Sequence, residues 1–405
     1  MKRLTIPGLL LLMSLPAFGA TKQDDLSQIR QELMSLLKRV ETLEAENQQL
    51  REKVQTTSSK LETAAKSNKG SWTDKLKVSG DLRVRYESID EATRDDRERS
   101  RVRARVAIKA NPTDNTEVGV GLASGGDDPA STNQTLGGGA STKDARLDLA
   151  YFKWQARPGL TVTAGKMKNM WHKAGGNSLL WDGDLRPEGV ALTYKGDNLF
   201  VNSAIHFLES DSRRSNERIA YGLQAGFKGK IAAGKLTAGV SYFQIGAEGR
   251  APWYDDDFYG NSSVCNGSDC VFANDFEELE LFAELATSVG EQPFTVFADY
   301  VQNQDASDLD TAWAVGFKLG KASAPGSWQL GYTYQDVEAD SIFGPWNDSD
   351  FAGGDTDSKG HILKGAWAVN KKLKIGFTYF DNESRVDLGS GRDYDRLQLD
   401  WAYKF

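Results

Sequence analysis

Residues 97–108 read RERSRVRARVAI and place arginine at Arg97, Arg99, Arg101, Arg103 and Arg105. Five guanidinium groups at every second position could attract anions, or could pair with carboxylates on neighbouring segments. On an α-helix a step of two turns about 200° and would scatter these side chains around the cylinder. On a β-strand the same step returns to one face. The alternating partners Glu98, Ser100, Val102, Ala104, Val106 and Ile108 become apolar as the run proceeds. An upstream segment, DKLKVSGDLRVRYE, repeats the pattern: Leu76, Val78, Gly80, Leu82, Val84 and Tyr86 oppose Lys77, Ser79, Asp81, Arg83, Arg85 and Glu87. The acids able to oppose these arginines from a loop are Asp182, Asp184 and, at its exit, Glu188.

Catalytic chemistry finds little material. His172, His206 and His361 are well separated, and no serine–histidine–acid grouping or metal triad stands out. The expectation is therefore no enzyme, no cofactor and no metal centre. The acidic, glycine-rich stretch NDSDFAGGDTDSKG invites a calcium reading. It lacks the glutamate an EF-hand needs at its twelfth position, because Ala366 stands there counting from Asp355. It reads as a solvated surface loop. Its aspartates and those of YDDDFYGN could meet divalent ions at a lipopolysaccharide surface. The two cysteines, Cys265 and Cys270 in VCNGSDCVF, are spaced for a local disulfide, which an exported chain permits.

Export is suggested by the N-terminus. MKRLTIPGLLLLMSLPAFGA has a charged start, an apolar core and a small-x-small site at Ala17–Gly19, so residues 1–20 read as a secretory signal. Residues 21–66 carry an unbroken heptad with Leu26, Leu33, Val40, Asn47, Val54 and Leu61 at a, and Ile29, Leu36, Leu43, Leu50, Thr57 and Ala64 at d. Asn47 at an a position suits a parallel dimer. Arg39, Val40, Leu43 and Glu44 instead resemble the arginine-h-x-x-h-glutamate motif of three-stranded coiled coils, and the trimer is favoured. Residues 67–73 form a short linker.

From residue 74 the period becomes two. About sixteen alternating segments follow to Phe405, joined by connections that alternate between short turns and longer loops. A net charge of −8 and a mean hydropathy of −0.51 look soluble, and no downstream apolar run approaches the ~20 residues of a membrane helix. A barrel wall averages out as hydrophilic in this way, and its parity of short turns and long loops is the one seen here. The fold expected is all-β, an approximately 16-stranded antiparallel transmembrane β-barrel over 74–405, preceded by an N-terminal α-helical coiled coil in the periplasm. The acidic balance argues against nucleic acid as a partner. The last strand puts Trp401, Tyr403 and Phe405 on one face, resembling the signal by which outer-membrane barrels engage their assembly machinery.

LLWDGDLRPEGVALTY at 179–194, with KVSGDLRVRYE, VTAGKMKNMW and the Phe405 terminus, resembles the putative porin family of Gram-negative outer membranes. The resemblance covers essentially the mature chain. It implies a passive diffusion channel for small hydrophilic solutes and ions, a homotrimer set in outer-membrane lipid and lipopolysaccharide. On this reading Arg83, Arg85, Arg99, Arg101, Arg103 and Arg105 face the lumen, since an arginine facing lipid at mid-depth costs roughly 2–4 kcal/mol. In sixteen-stranded porins the third long loop folds inward, so Asp182, Asp184 and Glu188 are expected at a constriction, setting a transverse field against the arginines. Local loop capping by these acids is the competing reading. Two other functions stay open: an anion- or phosphate-selective pore, and a structural protein whose coiled coil tethers the barrel to peptidoglycan.

Overall fold

The computed structural model describes residues 22–67, 75–210 and 216–405. The segment read as a secretory signal lies outside these residues, as does the segment read as a linker beyond Ser67. The chain divides into two units, 1–74 and 75–405. In the first, a single helix, α1, spans Lys22–Ser67. Its seam residues Val40, Leu43, Leu50 and Val54 are all exposed. No described helix is long and apolar enough to cross a membrane.

The second unit is a closed antiparallel barrel of sixteen strands. The wall begins with β1 (Leu76–Glu91), β2 (Arg97–Thr113), β3 (Thr116–Ser124), β4 (Ala145–Arg157) and β5 (Leu160–Lys166). It continues through β6 (Glu188–Lys195), β7 (Leu199–Glu209), β8 (Arg218–Ile231), β9 (Gly234–Ile245), β10 (Phe276–Val289) and β11 (Gln292–Asn303). It ends with β12 (Thr311–Gly320), β13 (Trp328–Val337), β14 (Ser358–Ala368), β15 (Leu373–Ser384) and β16 (Arg392–Lys404). Each strand pairs with the next, and β1 pairs with β16 from Asp81↔Lys404 to Glu91↔Tyr394. The amide and carbonyl of Phe405 bond Gly80, both at 3.1 Å, and finish the seam. Closure leaves no edge and satisfies the backbone within the wall, the condition for lying in lipid.

Alternation sets the two faces. Val78, Leu82, Val84, Val106, Ile108, Val120, Trp401 and Tyr403 are exposed on the outside, while Arg85, Glu87, Arg396 and Gln398 are buried within. The sequence RLDLAYFKWQ leaves its outward side ambiguous, and a bulge resolves it. Leu122 pairs with Leu147 and Gly121 with Leu149, so Asp148 is an extra residue in β4. A bulge shifts the alternation by one. Leu147 is therefore 51% exposed and Leu149 2% exposed, although both lie two apart on one strand.

The long connections are L1 (92–96), L2 (125–144), L3 (167–187), L4 (210–217), L5 (246–275), L6 (304–310), L7 (338–357) and L8 (385–391). L2 lays Gln134–Thr135 along β2 at Val102 and Arg101, where β3 is too short to pair. L5 carries a two-stranded hairpin, Ser263–Asn266 with Asp269–Phe272, closed by the Cys265–Cys270 disulfide.

Candidate constriction site

The site is built where L3 and L7 cross the barrel in front of an arginine wall. L3 leaves β5 at Gly165, which faces Gly189 of β6 on the last rungs of the wall. Both have positive φ, 114° and 154°, and a Cβ at either would run into a neighbouring strand's carbonyl. Glycine is the residue that tolerates this exit. The loop then reaches the far side of the lumen. The His172 amide donates to Gln224 Oε1 at 2.7 Å, that of Gly175 to Glu284 Oε2 at 2.9 Å, and Asn177 Nδ2 to Asp299 Oδ2 at 2.8 Å.

Both limbs carry apolar side chains. Met167, Trp171, Leu179, Leu180, Trp181 and Leu185 form one buried cluster with wall residues Phe243, Val301, Ala312 and Ile362 and with Ile342, Phe351 and Ala352 of L7. Trp181 lies between Trp346 of L7 and Trp171, with ring centroids at 5.5 and 6.2 Å. The stretch read as a solvated surface loop is therefore part of the lumen filling, with Phe351 1% and Thr356 0% exposed. The physical reason is the aromatic content of L7, with Phe343 and Trp346 just before the acidic stretch and Phe351 within it; burying Phe343 and Phe351 stabilises the fold by about 1.5–3 kcal/mol each.

The charged wall is a paired network. Register sets Arg83 opposite Arg103 and Arg85 opposite Arg101, like charges that repel directly across β1 and β2. Carboxylates offset this. Arg85 grips Asp400 through two nitrogens at 2.7 and 2.9 Å and reaches Asp350 of L7 at 3.0 Å. Arg83 donates to Asn133 at 2.6 Å and lies 3.9 Å from Asp400. Arg103 and Arg105 each bind Asp81, at 3.0 and 2.9 Å, and Asp184 of L3, at 3.2 and 2.9 Å. Arg99 and Arg101 turn to Glu87, which also receives Arg396 at 2.7 Å. Seven guanidinia (83, 85, 99, 101, 103, 105, 396) thus meet five carboxylates (81, 87, 184, 350, 400), a net of two positive charges with all groups ionised.

The loop acids divide by environment. Burial raises the Asp184 carboxyl, but Arg103, Arg105 and the Thr132 hydroxyl outweigh it and hold the group below its ordinary value. Asp350 is held well below by Arg396 and Arg85 against the same burial. Asp182 goes the other way: burial, then the nearby Asp348 and Asp184, push it up to about 8. Among the described residues it meets no arginine. It accepts the amides of Asp184 and Ser349 at 2.6 and 3.1 Å, and lies 3.1 Å from the Ser349 hydroxyl, which in turn lies 3.0 Å from the Ala130 carbonyl of L2.

Of the residues expected at the constriction, Arg83, Arg85, Arg99, Arg101, Arg103, Arg105 and Asp184 come together. Asp182 stands behind them as a clamp between loops. Glu188 is not among them: it lies at the root of L3, largely exposed, and pairs with Lys166 at 2.8 Å. It follows Pro187 at the wall edge, beyond the limb that turns inward. Sequence reasoning set Asp81 and Glu87 on the polar face of β1 without assigning them to the site, and missed Asp350, Asp400 and Arg396. Asp81 and Asp400 share the inward face of their strands by alternation, whereas nothing local marks Asp350. Glu278 and Glu280 of β10 do point inward but are covered; Glu278 accepts the L7 amide of Phe343 at 2.8 Å. Above the loops a cavity of about 350 Å³ is edged by Arg97, Arg99, Arg101 and Arg396. Among the described residues no cluster of histidine, cysteine or acids could hold a metal ion.

A family model described as "Putative porin" matches residues 89–252 and 256–405. No curated protein matches the sequence. Among solved structures, the high-pH structure of Pseudomonas putida OprB aligns with a TM-score of 0.56 at 13% identity, covering 84% of this chain and 96% of that one. A loop L8 deletion mutant of OmpT, an outer membrane protein of Vibrio cholerae, aligns at 0.48 and 13% identity, over 82% of this chain and 100% of its own. A triple mutant of Rhodopseudomonas blastica porin aligns at 0.48 and 10% identity, with the same coverages.

Proposed function

The chain belongs to the putative porin family, and from that premise we propose that this outer-membrane diffusion channel has its bore set jointly by L3 and L7. The observation that carries the reading is the meeting of Asp184 and Asp350, one from each loop, with the β1–β2–β16 arginines. The loops narrow the lumen, and the arginines give it a face that holds water and ions. Small hydrophilic solutes and ions pass by diffusion, with no catalytic step. Planar-bilayer recording of purified protein tests this. Discrete ohmic steps are expected, and steps in groups of three for the assembled protein. A protein that inserts and stays silent sinks it.

Assembly as a homotrimer through α1 belongs to the same proposal. The exposed seam at Val40, Leu43 and Leu50, flanked by Arg39 and Glu44, supports it, with Asn47 fixing register. Placement of α1 in the periplasm, where it could reach peptidoglycan, is part of the same proposal. Trp401, Tyr403 and Phe405 would present the closing strand to the barrel-assembly machinery.

A further inference from the structure

The arginines draw the eye, yet their charge is mostly spent on neighbouring carboxylates. Below L3, toward the short turns, the lumen has a cavity of about 840 Å³ with a different character. Seven lysines line it: Lys109 of β2, which pairs with Glu117, and six more, Lys153 of β4, Lys168 of L3, Lys195 of β6, Lys228 and Lys230 of β8, and Lys235 of β9. Among the described residues none of the six has an ion pair. Two acids share the lining, Asp197 at the β6–β7 turn and Glu117, and Glu117 is already held by Lys109 at 3.3 Å and by the Tyr151 hydroxyl at 2.7 Å. Gathering ammonium groups around one space costs stability through repulsion, and an anion entering the space relieves it.

The same cavity has an apolar side. Tyr151, Met170, Trp171 and Phe200 contribute to its lining. An inorganic anion has no use for rings and a thioether. We infer that this chamber is a transit site for organic anions with an apolar body, of the class of aryl or branched aliphatic carboxylates. The carboxylate engages the lysines while the hydrocarbon lies on Tyr151 and Phe200. Lysine suits passage better than arginine does, because a flexible point charge binds without the bidentate geometry that fixes a ligand. Conduction requires contacts weak and numerous enough to release what they attract. The inference rests on the channel reading.

The test uses the full-length protein in planar bilayers, with benzoate, acetate or benzylammonium added on the short-turn side of a potassium chloride solution. Benzoate is expected to halve the chloride current at a concentration roughly tenfold below that of acetate, from partial burial of the ring. Benzylammonium is expected to have no effect. Lys228→Gln with Lys230→Gln should raise the half-blocking benzoate concentration several-fold and move the reversal potential toward zero. Phe200→Ala should erase the benzoate advantage and leave chloride preference in place. Lys195→Gln with Lys235→Gln repeats the first test should the β8 pair fail to fold. Steady conduction with benzoate and acetate acting alike, or with neither lysine pair changing the block, overturns the inference and spares the channel reading. A silent protein overturns both.

Discussion

Replacing Asp184 by asparagine separates what holds L3 in place from what charges the pore. Asp184 accepts Arg103 at 3.2 Å, Arg105 at 2.9 Å and the Thr132 hydroxyl at 2.9 Å. Removing one partner of a buried ion pair costs about 3–5 kcal/mol when the other charge is left alone. Here both arginines keep Asp81, at 3.0 and 2.9 Å, so the cost falls to about 2 kcal/mol. Against it stand Trp171, Leu179, Leu180 and Trp181, each no more than 5% exposed. At about 1.5–3 kcal/mol per side chain they stabilise the inward loop by roughly 6–12 kcal/mol. Packing wins, and L3 stays in. The field does change, because five carboxylates become four against seven guanidinia. One unit charge at ~8 Å in water is worth ~0.5 kcal/mol before screening. Anions then gain and cations lose about twofold each, and the anion-to-cation permeability ratio rises roughly fivefold in dilute salt. In 1 M salt, where the Debye length is about 3 Å, the effect should vanish. Single-channel conductance and reversal potential read both quantities. A conductance that more than doubles at unchanged selectivity would refute the reasoning, since ion pairs and not packing would then be holding the loop.

Trp181→Ala should do what Asp184→Asn does not. Losing a side chain packed on Trp171, Phe243 and Trp346 costs about 3–5 kcal/mol, so larger and noisier single-channel currents are expected. The loop clamp should also depend on pH. Asp182, pushed up to about 8 from an ordinary 3.8, faces Asp348 of L7 and Asp184 and Lys173 of its own loop. Its raised value means its contribution is whole below 3.8 and fades as pH rises to about 8. The lowered carboxyls of Asp184 and Asp350 contribute above the ordinary value and lose that support in acid. Current noise should therefore rise at both extremes, and Asp182→Asn should flatten the alkaline branch alone. Finally, Val40→Asp with Leu43→Asp should convert trimers to monomers on native electrophoresis while the conductance of each pore stays unchanged, because both positions sit on α1.

The sixteen strands were legible because alternation is a local property. A lipid face and a wet face leave a two-residue signature in every segment, and RVRARV shows it as plainly as LQLDWAY. The inward course of L3 was legible only through resemblance. The L7 course was not, although its signal was present: SIFGPWNDSDF interleaves Ile342, Phe343, Trp346 and Phe351 with the acids that made the stretch look solvated. Composition averaged the two and lost the information. The β4 bulge shows the converse. One extra residue, Asp148, reverses which side is apolar, and an alternation count without register cannot detect it.

Charge pairing was the least legible feature, because it depends on register and on loops far apart in sequence. Arg85 meets Asp400 across the β1–β16 seam and Asp350 from L7. No spacing rule connects those positions. The consequence bears on selectivity. Counting arginines suggests a strongly positive pore, yet the wall they form is nearly balanced and its guanidinia serve as fixed anchors for L3 and L7. The lysines beneath L3 attract less notice in the sequence, being spread in ones and twos over β2, β4, L3, β6, β8 and β9, and they gather only when the sheet curls and closes. A pore's preference follows from charge left uncompensated, and on the inference above the lysine chamber adds more of it than the nearly balanced arginine ladder does.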